Sequence, residues 1–321
     1  MRIVYFGSGS FGLPSLEALH RSAHSLVGIF TQPARPAGRH KTPRPTVVAE
    51  WARRHGVVCT EAEDINAPEM VEAVAACAGE LLVVIAFGQK IGPALIEMHP
   101  RGAINVHASL LPKYRGAAPI NWAIINGERE TGVSIITVVE RMDAGFILGQ
   151  AAIQIHPDDT ADTLHDRLAE LAPPLLLETI DRIAAGTVEY RAQDESAVTF
   201  ARKLKKSDGF IDWSRPAQEI ANRIRGLWPW PGAQTDYVSA QTSRCARVTI
   251  ARAHAVGDEA HDGAWGRLDE SLRVICGRGT LEIDALKPAG GDLMEFRDFV
   301  NGRATRPGDL FWPIEKAACD E

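Results

Sequence analysis

The 321-residue chain carries 45% hydrophobic and 24% charged residues, the balance of a globular protein, and a net charge of −6. That acidic balance excludes a protein that coats nucleic acid by overall charge, and no stretch reaches the roughly 20 apolar residues of a membrane-spanning helix. The cysteines (Cys59, Cys77, Cys245, Cys276, Cys319) are scattered without a C-x-x-C pair, which predicts thiols in a reducing, cytoplasmic setting with neither a disulfide framework nor a metal site.

In chain order, "RIVYF" (2–6) reads as a first strand, entered directly with no leader-like segment before it. A glycine turn follows, then Leu13, Leu16 and Leu19 at helical spacing. "SLVGIF" (25–30) is a second strand, "VVAEWARRHG" a helix that stops at Gly56, and "VVCT" (57–60) a short third strand. Met70 to Cys77 is helical, and "LLVVIAFG" (81–88) has the unbroken apolar character of a strand buried on both faces of a parallel sheet. "AINVH" (103–107) is the next strand, followed by a loop and a helix from about Pro119 to Asn126. "GVSIITVVE" and "FILGQAAIQIH" are strands, and 160–185 is helical with a bend or break at Pro173-Pro174. The alternation predicts an α/β fold, a Rossmann-like doubly wound and mostly parallel sheet, over residues 1–189. Residues 190–206 are polar and basic with little periodicity, which predicts a linker. Short strand patterns with glycine turns then predict a small OB-like β-barrel over 207–321.

Gly7-Ser8-Gly9-Ser10-Phe11-Gly12 has the G-x-G-x-x-G spacing of dinucleotide-binding loops. Such a site also needs an acidic residue at the end of the second strand, to hold the ribose hydroxyls. Here that strand ends in Phe30-Thr31-Gln32-Pro33-Ala34-Arg35, with no acid. The loop therefore reads as a tight turn, and no NAD is expected.

The chemistry is concentrated in residues 104–145. Asn105 and His107 stand two apart at the end of a predicted strand, so both face one side of the sheet at its carboxyl edge, where open α/β sheets collect ligands. Asp143 lies on a later loop, within reach of a return to His107. An amide, an imidazole and a carboxylate suit acyl transfer between nitrogens. The amide and a protonated ring donate to the oxyanion of a tetrahedral intermediate, while the carboxylate orients the ring and accepts a proton from the attacking amine. No nucleophilic side chain is needed, because the amine is the nucleophile. Packing and turn formation alone would also accommodate an isolated N-x-H.

The motifs decide between these readings. N-x-H (Asn105, His107), then Ser109-Leu110-Leu111-Pro112 and later Asp143-Ala144-Gly145, resemble the signature of folate-dependent formyltransferases. Further stretches extend the likeness over both halves: "FTQPARPAGR" (30–39), "KYRGAAPINWAIINGERETGV" (113–133), "IDWS" (211–214), "WPWPGA" (228–233), "KPAG" (287–290) and "RPGDLF" (306–311). Within the superfamily they resemble the branch that formylates methionine carried by initiator tRNA. The resemblance implies 10-formyltetrahydrofolate as co-substrate and methionyl-initiator tRNA as partner, with no metal and no membrane, in a monomer. It implies Asn105, His107 and Asp143 as the catalytic trio. Folate would be met by Ser109, Leu110, Leu111 and Pro112 and by the pterin-reading loop Phe87, Gly88 and Gln89. RNA backbone would be met by Arg39, Lys41 and Arg44 after the second strand and by Arg202, Lys203, Lys205 and Lys206 in the linker. The loop after Arg39 is shorter than is usual in that branch. Two alternatives stand beside this reading: an amino-sugar nucleotide N-formyltransferase, and an RNA-binding protein with an inactive folate site.

Overall fold

The computed structural model describes residues 1–37, 42–242 and 244–314, in two compact units. The first comprises Met1–Pro119, Glu130–Gln154 and His165–Ala201; the second comprises Ile120–Arg129, Ile155–Leu164 and Arg202–Glu321.

The first unit is built on a seven-stranded sheet. Its strands are β1 (Arg2–Gly7), β2 (Ser25–Thr31), β3 (Thr60–Glu61), β4 (Leu81–Ile85), β5 (Ala103–His107), β6 (Glu130–Thr137) and β7 (Ile147–Gln154). They lie in the order β7-β6-β5-β4-β1-β2-β3. The five strands from β3 to β5 run parallel, and β6 and β7 add an antiparallel edge. Every residue of β4 is buried, as its unbroken apolar run requires of a central parallel strand. The predicted third strand starts three residues later than "VVCT", at Thr60–Glu61. Helix α1 (Leu13–Arg21) follows the glycine turn, and α2 (Val47–His55) starts where Thr46 Oγ1 accepts from the Ala49 amide and stops at Gly56, φ +66°.

Helix α3 (Ala161–Ala185) runs through Pro173 and Pro174 as one element, so of the expected bend or break no break occurs. Leu168, Ala172, Leu176 and Ile180 recur every fourth residue and are fully buried. Burial of that stripe outweighs the backbone hydrogen bonds the prolines cannot make.

The second unit is a nearly closed antiparallel barrel. Its strands are β8 (Ala233–Val238), β9 (Cys245–Ala260), β10 (Val274–Ile275), β11 (Arg278–Pro288), β12 (Met294–Glu295) and β13 (Leu310–Trp312). The path runs β10-β11-β9-β8-β13, with β12 beside β11. Bridges from Arg267 to Leu310 and from Leu268 to Val274 connect the two ends of that path. Trp213, Val248, Ile250, Leu281 and Phe311 fill the interior, and helix α4 (Ala217–Leu227) adds Ile220 and Ile224. The fold class is as the sequence predicted.

The two compact units are each assembled from separate stretches of chain. Residues 190–201 fold into the first unit, held by long-range hydrogen bonds described below, while Ile120–Arg129 and Ile155–Leu164 group with the second. There Asn121 Nδ2 donates to the Gly226 carbonyl and Arg225 Nη1 to that of Asp159, both at 2.8 Å. Cys59, Cys77 and Cys276 are free thiols, whereas Cys245 is disulfide-bonded, against the expectation of thiols throughout. Among the described residues no helix is long and apolar enough to cross a membrane.

Candidate active site

The carboxyl ends of β1, β4 and β5 each continue into a loop. The glycine loop after β1 packs on the loop after β4: the amides of Ser8 and Gly9 both donate to the Ala86 carbonyl at 3.2 Å. Those amides are thereby engaged by protein, so the turn does not present them to a phosphate. Its spacing serves close packing instead. A Cβ on Gly12 would lie 2.2 Å from the Tyr5 hydroxyl, which itself donates to the Gly12 carbonyl at 3.3 Å.

The loop after β4 is held as firmly. The Phe87 ring is buried against Phe6, with centroids 5.2 Å apart, and its carbonyl accepts from Gln32 Nε2 at 2.7 Å. Gln89 is anchored at both ends of its amide: Oε1 accepts from the Ile65 amide at 2.8 Å and Nε2 donates to the Ala62 carbonyl at 2.9 Å. Gly88 between them is exposed, with φ +80°.

Asn105 and His107 come from β5, where alternation puts both side chains on one face. His107 is buried, and its Nε2 lies 2.9 Å from the Tyr114 carbonyl. A carbonyl only accepts, so Nε2 carries a proton. The other ring nitrogen, Nδ1, faces Asp143 Oδ2 at 3.7 Å. The same carboxylate oxygen accepts from the Gly116 amide at 2.8 Å. Asp143 adopts φ +51°, a left-handed conformation that aspartate tolerates better than most residues. Two residues on, a Cβ at Gly145 would sit 1.8 Å from the Thr137 carbonyl, so only glycine lets the loop close there. Asn105 is half-buried, and among the described residues nothing engages its side-chain amide. The arrangement thus offers an unoccupied amide donor beside an imidazole held between two acceptors.

The segment after β5 is largely internal. Ser109 and Leu111 are buried: Ser109 Oγ donates to the Lys113 carbonyl at 2.7 Å, and the Leu111 amide donates to Ser134 Oγ at 3.0 Å. Leu110 and Pro112 are half-buried. Of the basic residues, Arg44, Lys203, Lys205 and Lys206 are exposed, while Arg39 and Lys41 lie outside the described residues. Arg202 is occupied. Its Nη2 meets Asp208 Oδ1 at 2.5 Å, and its guanidinium stacks over the Trp122 ring at 5.0 Å. That contact holds the Asp208 carboxyl at a pKa of about 2, below the ordinary carboxylate range.

Other residues contribute to the site without having been singled out individually from sequence. Tyr114 and Gly116 act through backbone atoms. Gln193 Nε2 donates to the carbonyls of Asp143 and Gly145 at 2.7 and 2.8 Å, from a stretch that reads as a linker. Tyr114 and Gly116 fall within the 113–133 stretch, whereas no local pattern marks Gln193, because its partners lie 50 and 48 residues away.

Comparison with known proteins supplies the class. The formyl transferase family pattern matches residues 1–180, and its C-terminal domain pattern matches 203–304. The chain belongs to the formyl transferase family. Among its relatives, the methionyl-tRNA formyltransferase of Trichlorobacter lovleyi is 41% identical over 317 residues, covering 99% of both chains. That of Citrifermentans bemidjiense is 40% identical over 310 residues, 97% of this chain and 96% of the relative. An N-formyltransferase from Helicobacter canadensis, crystallised with folinic acid and dTDP-3-aminofucose, shares the fold. It has a TM-score of 0.60 at 16% identity, over 88% of this chain and 98% of its own. The chain is accordingly an enzyme of formyl transfer. Among the described residues no group of His, Cys, Asp or Glu is arranged to hold a metal ion.

Proposed function

We propose that the enzyme transfers the formyl group of 10-formyltetrahydrofolate to the α-amine of methionine esterified to initiator tRNA. The observation that carries this reading is the approach of Asp143 to His107 beside the unengaged amide of Asn105. The choice of acceptor rests on the full-length relatives at about 40% identity, all named for methionyl-tRNA.

The amine's lone pair attacks the formyl carbon and forms the new C–N bond, and the carbonyl oxygen takes up the negative charge. Asn105 Nδ2 donates to that oxygen. His107 donates by exchanging the neutral Tyr114 carbonyl for the charged oxygen, a stronger acceptor. Each such donor is worth roughly 2.7–4 kcal/mol in the transition state. Asp143 keeps the ring oriented and accepts, directly or through water, the proton that the amine sheds. Collapse of the intermediate breaks the bond from carbon to N10 of the folate, which leaves protonated as tetrahydrofolate.

Arg44, Lys203, Lys205 and Lys206 are the exposed cations we assign to RNA backbone, a contact that positions without reading sequence. Folate is assigned to the Phe87–Gln89 loop and the Ser109–Pro112 segment. Their firm internal bonding supports contact through backbone and apolar surface rather than through the Gln89 amide or the Ser109 hydroxyl.

The test is a formylation assay on purified enzyme with 10-formyltetrahydrofolate, offering methionyl-initiator tRNA, methionyl-elongator tRNA and an amino-sugar nucleotide in parallel. Formylation of the initiator alone is expected. Transfer to the sugar nucleotide without transfer to either tRNA would assign the enzyme to the sugar branch.

A further inference from the structure

We infer that Gln193 is a positioning residue for the reaction, fixing the Asp143 loop through a directional chain of hydrogen bonds that starts at the buried Arg115 guanidinium. The inference rests on the proposed function only in taking Asp143 to serve the transfer step.

Arg115 is 1% exposed, which for an arginine demands a reason. Its backbone explains its place: the Arg115 amide donates to the Thr199 carbonyl at 2.9 Å, and Arg115–Gly116 pairs in parallel with Phe200–Ala201. Its side chain explains its chemistry. Nε and Nη2 both donate to Gln193 Oε1, at 3.0 and 2.8 Å. A guanidinium only donates, so the amide of Gln193 is turned with its oxygen toward Arg115. The NH2 group must then point the other way, where it donates to the Asp143 and Gly145 carbonyls. Both of its hydrogens are used, and each lands on the loop that carries the carboxylate. The amide thus has one permitted orientation, and that orientation pins the two carbonyls flanking Ala144.

Two further contacts reinforce the chain. Glu195 bridges Arg115 and Arg141 at 2.8 and 2.9 Å, which adds a second tie from the same segment to the 141–145 loop. Arg191 forms a two-way backbone bridge with Ile147, at 2.8 and 3.0 Å, just beyond that loop. The segment also reaches the other side of the site. Thr199 Oγ1 accepts from the Tyr114 amide at 2.9 Å, and the Tyr114 carbonyl is the acceptor for His107. Residues 191–199 therefore hold both acceptors between which the imidazole sits. A half-buried glutamine that merely filled space would need neither the arginine behind it nor two carbonyls in front.

The test compares wild type, Gln193→Glu and Gln193→Met. The first keeps the bond to Arg115 and sets an oxygen against the two carbonyls; the second keeps the volume and removes both N–H donors. Each should lower kcat by about tenfold or more, with KM for both substrates within about threefold and the melting temperature within a few degrees of wild type. In an Asp143→Asn background the same changes should alter kcat less than twofold, because a residue that acts through Asp143 has nothing left to position. The ring resonances of 13C-labelled His107 provide a readout independent of turnover: both Gln193 variants should displace them in the direction that Asp143→Asn does. Full additivity with Asp143→Asn, a loss confined to KM, or unmoved His107 resonances would each overturn the inference. So would failure of both variants to fold, which would make Gln193 a residue of the scaffold. Absence of formyl transfer in wild type, with the His107 displacement still present, would sink the proposed function and leave the positioning role standing.

Discussion

Two loops leave the carboxyl edge of the same sheet, after β1 and after β5, and they use their polar groups in opposite ways. The glycine loop has the spacing of a ligand-binding motif, yet its Ser8 and Gly9 amides are engaged by the Ala86 carbonyl. At the end of β5, by contrast, the Asn105 amide is left unengaged, and His107 is suspended between Tyr114 of the loop that follows and Asp143 of the loop between β6 and β7. Spacing reports the path of the backbone. Whether a donor remains available to a ligand depends on what that path brings beside it. The basic stretch repeats the contrast within a few residues: Arg202 is tied to Asp208 and Trp122, while Lys203, Lys205 and Lys206 remain exposed.

The sharpest way to break this comparison is to remove the available groups. Asn105→Ala should lower kcat by about 100- to 1,000-fold, the loss of one oxyanion donor, and His107→Ala should cost at least as much. Affinity for the folate donor, measured by equilibrium binding, should change by less than about threefold. Turnover within a few-fold of wild type in either variant would remove that residue from the transition state.

The engaged groups should answer to stability instead. In Gly12→Ala the new methyl would meet the Tyr5 hydroxyl at 2.2 Å and Ile85 Cγ2 at 3.2 Å. Overpacking of this kind costs about 1–3 kcal/mol. Tyr5→Phe removes the nearer atom, so the double variant should recover much of the loss in a denaturant titration. If alanine at position 12 is neutral, or if saturating NAD raises the melting temperature of wild type, the loop is doing more than packing.

How much of this was legible in the sequence follows the range of the interactions. "LLVVI" and "AINVH" declare their strands because alternation and burial are local patterns, and Asn105 and His107 inherit their shared face from that register. At Pro173-Pro174 the sequence predicts a bend or a break, and no break occurs, because local rules weigh the missing N–H groups and not the buried leucines that hold the turn together. Gln193 was invisible for a related reason. Its partners lie 50 and 78 positions away, and a polar, aperiodic segment looks the same whether it is a linker or a strap across a site. The pairing of Arg202 with Asp208 was hidden likewise, since charge can be counted from sequence but its partners cannot.

That pairing divides the basic stretch into two predictions of different kinds. Reversing Lys203, Lys205 and Lys206 to glutamate should weaken tRNA binding roughly tenfold near physiological salt. It should also flatten the slope of log affinity against log salt by about 2 units, since each lost phosphate contact removes roughly 0.7–0.9. An unchanged slope would take these lysines off the RNA surface.

The smallest effect belongs to Asp208. Its pKa of about 2 lies below the roughly 3.9 of an unfolded aspartate. A depressed carboxyl contributes stability that is fully present above the unfolded value and is lost as pH falls through the folded one. The window therefore runs from about pH 4 down to about pH 2. Arg202 is 53% exposed, so solvent screening holds the contribution to about 1 kcal/mol or less. Asp208→Asn should lower stability at neutral pH by that amount and remove the corresponding slope from an acid titration of stability. The RNA-binding salt slope should stay within error of wild type, because Asp208→Asn leaves Lys203, Lys205 and Lys206 in place. A variant that kept the acid slope would show that Asp208 is not what depends on pH there. One that steepened the salt dependence would show that Arg202, once released from its carboxylate, reaches the RNA after all.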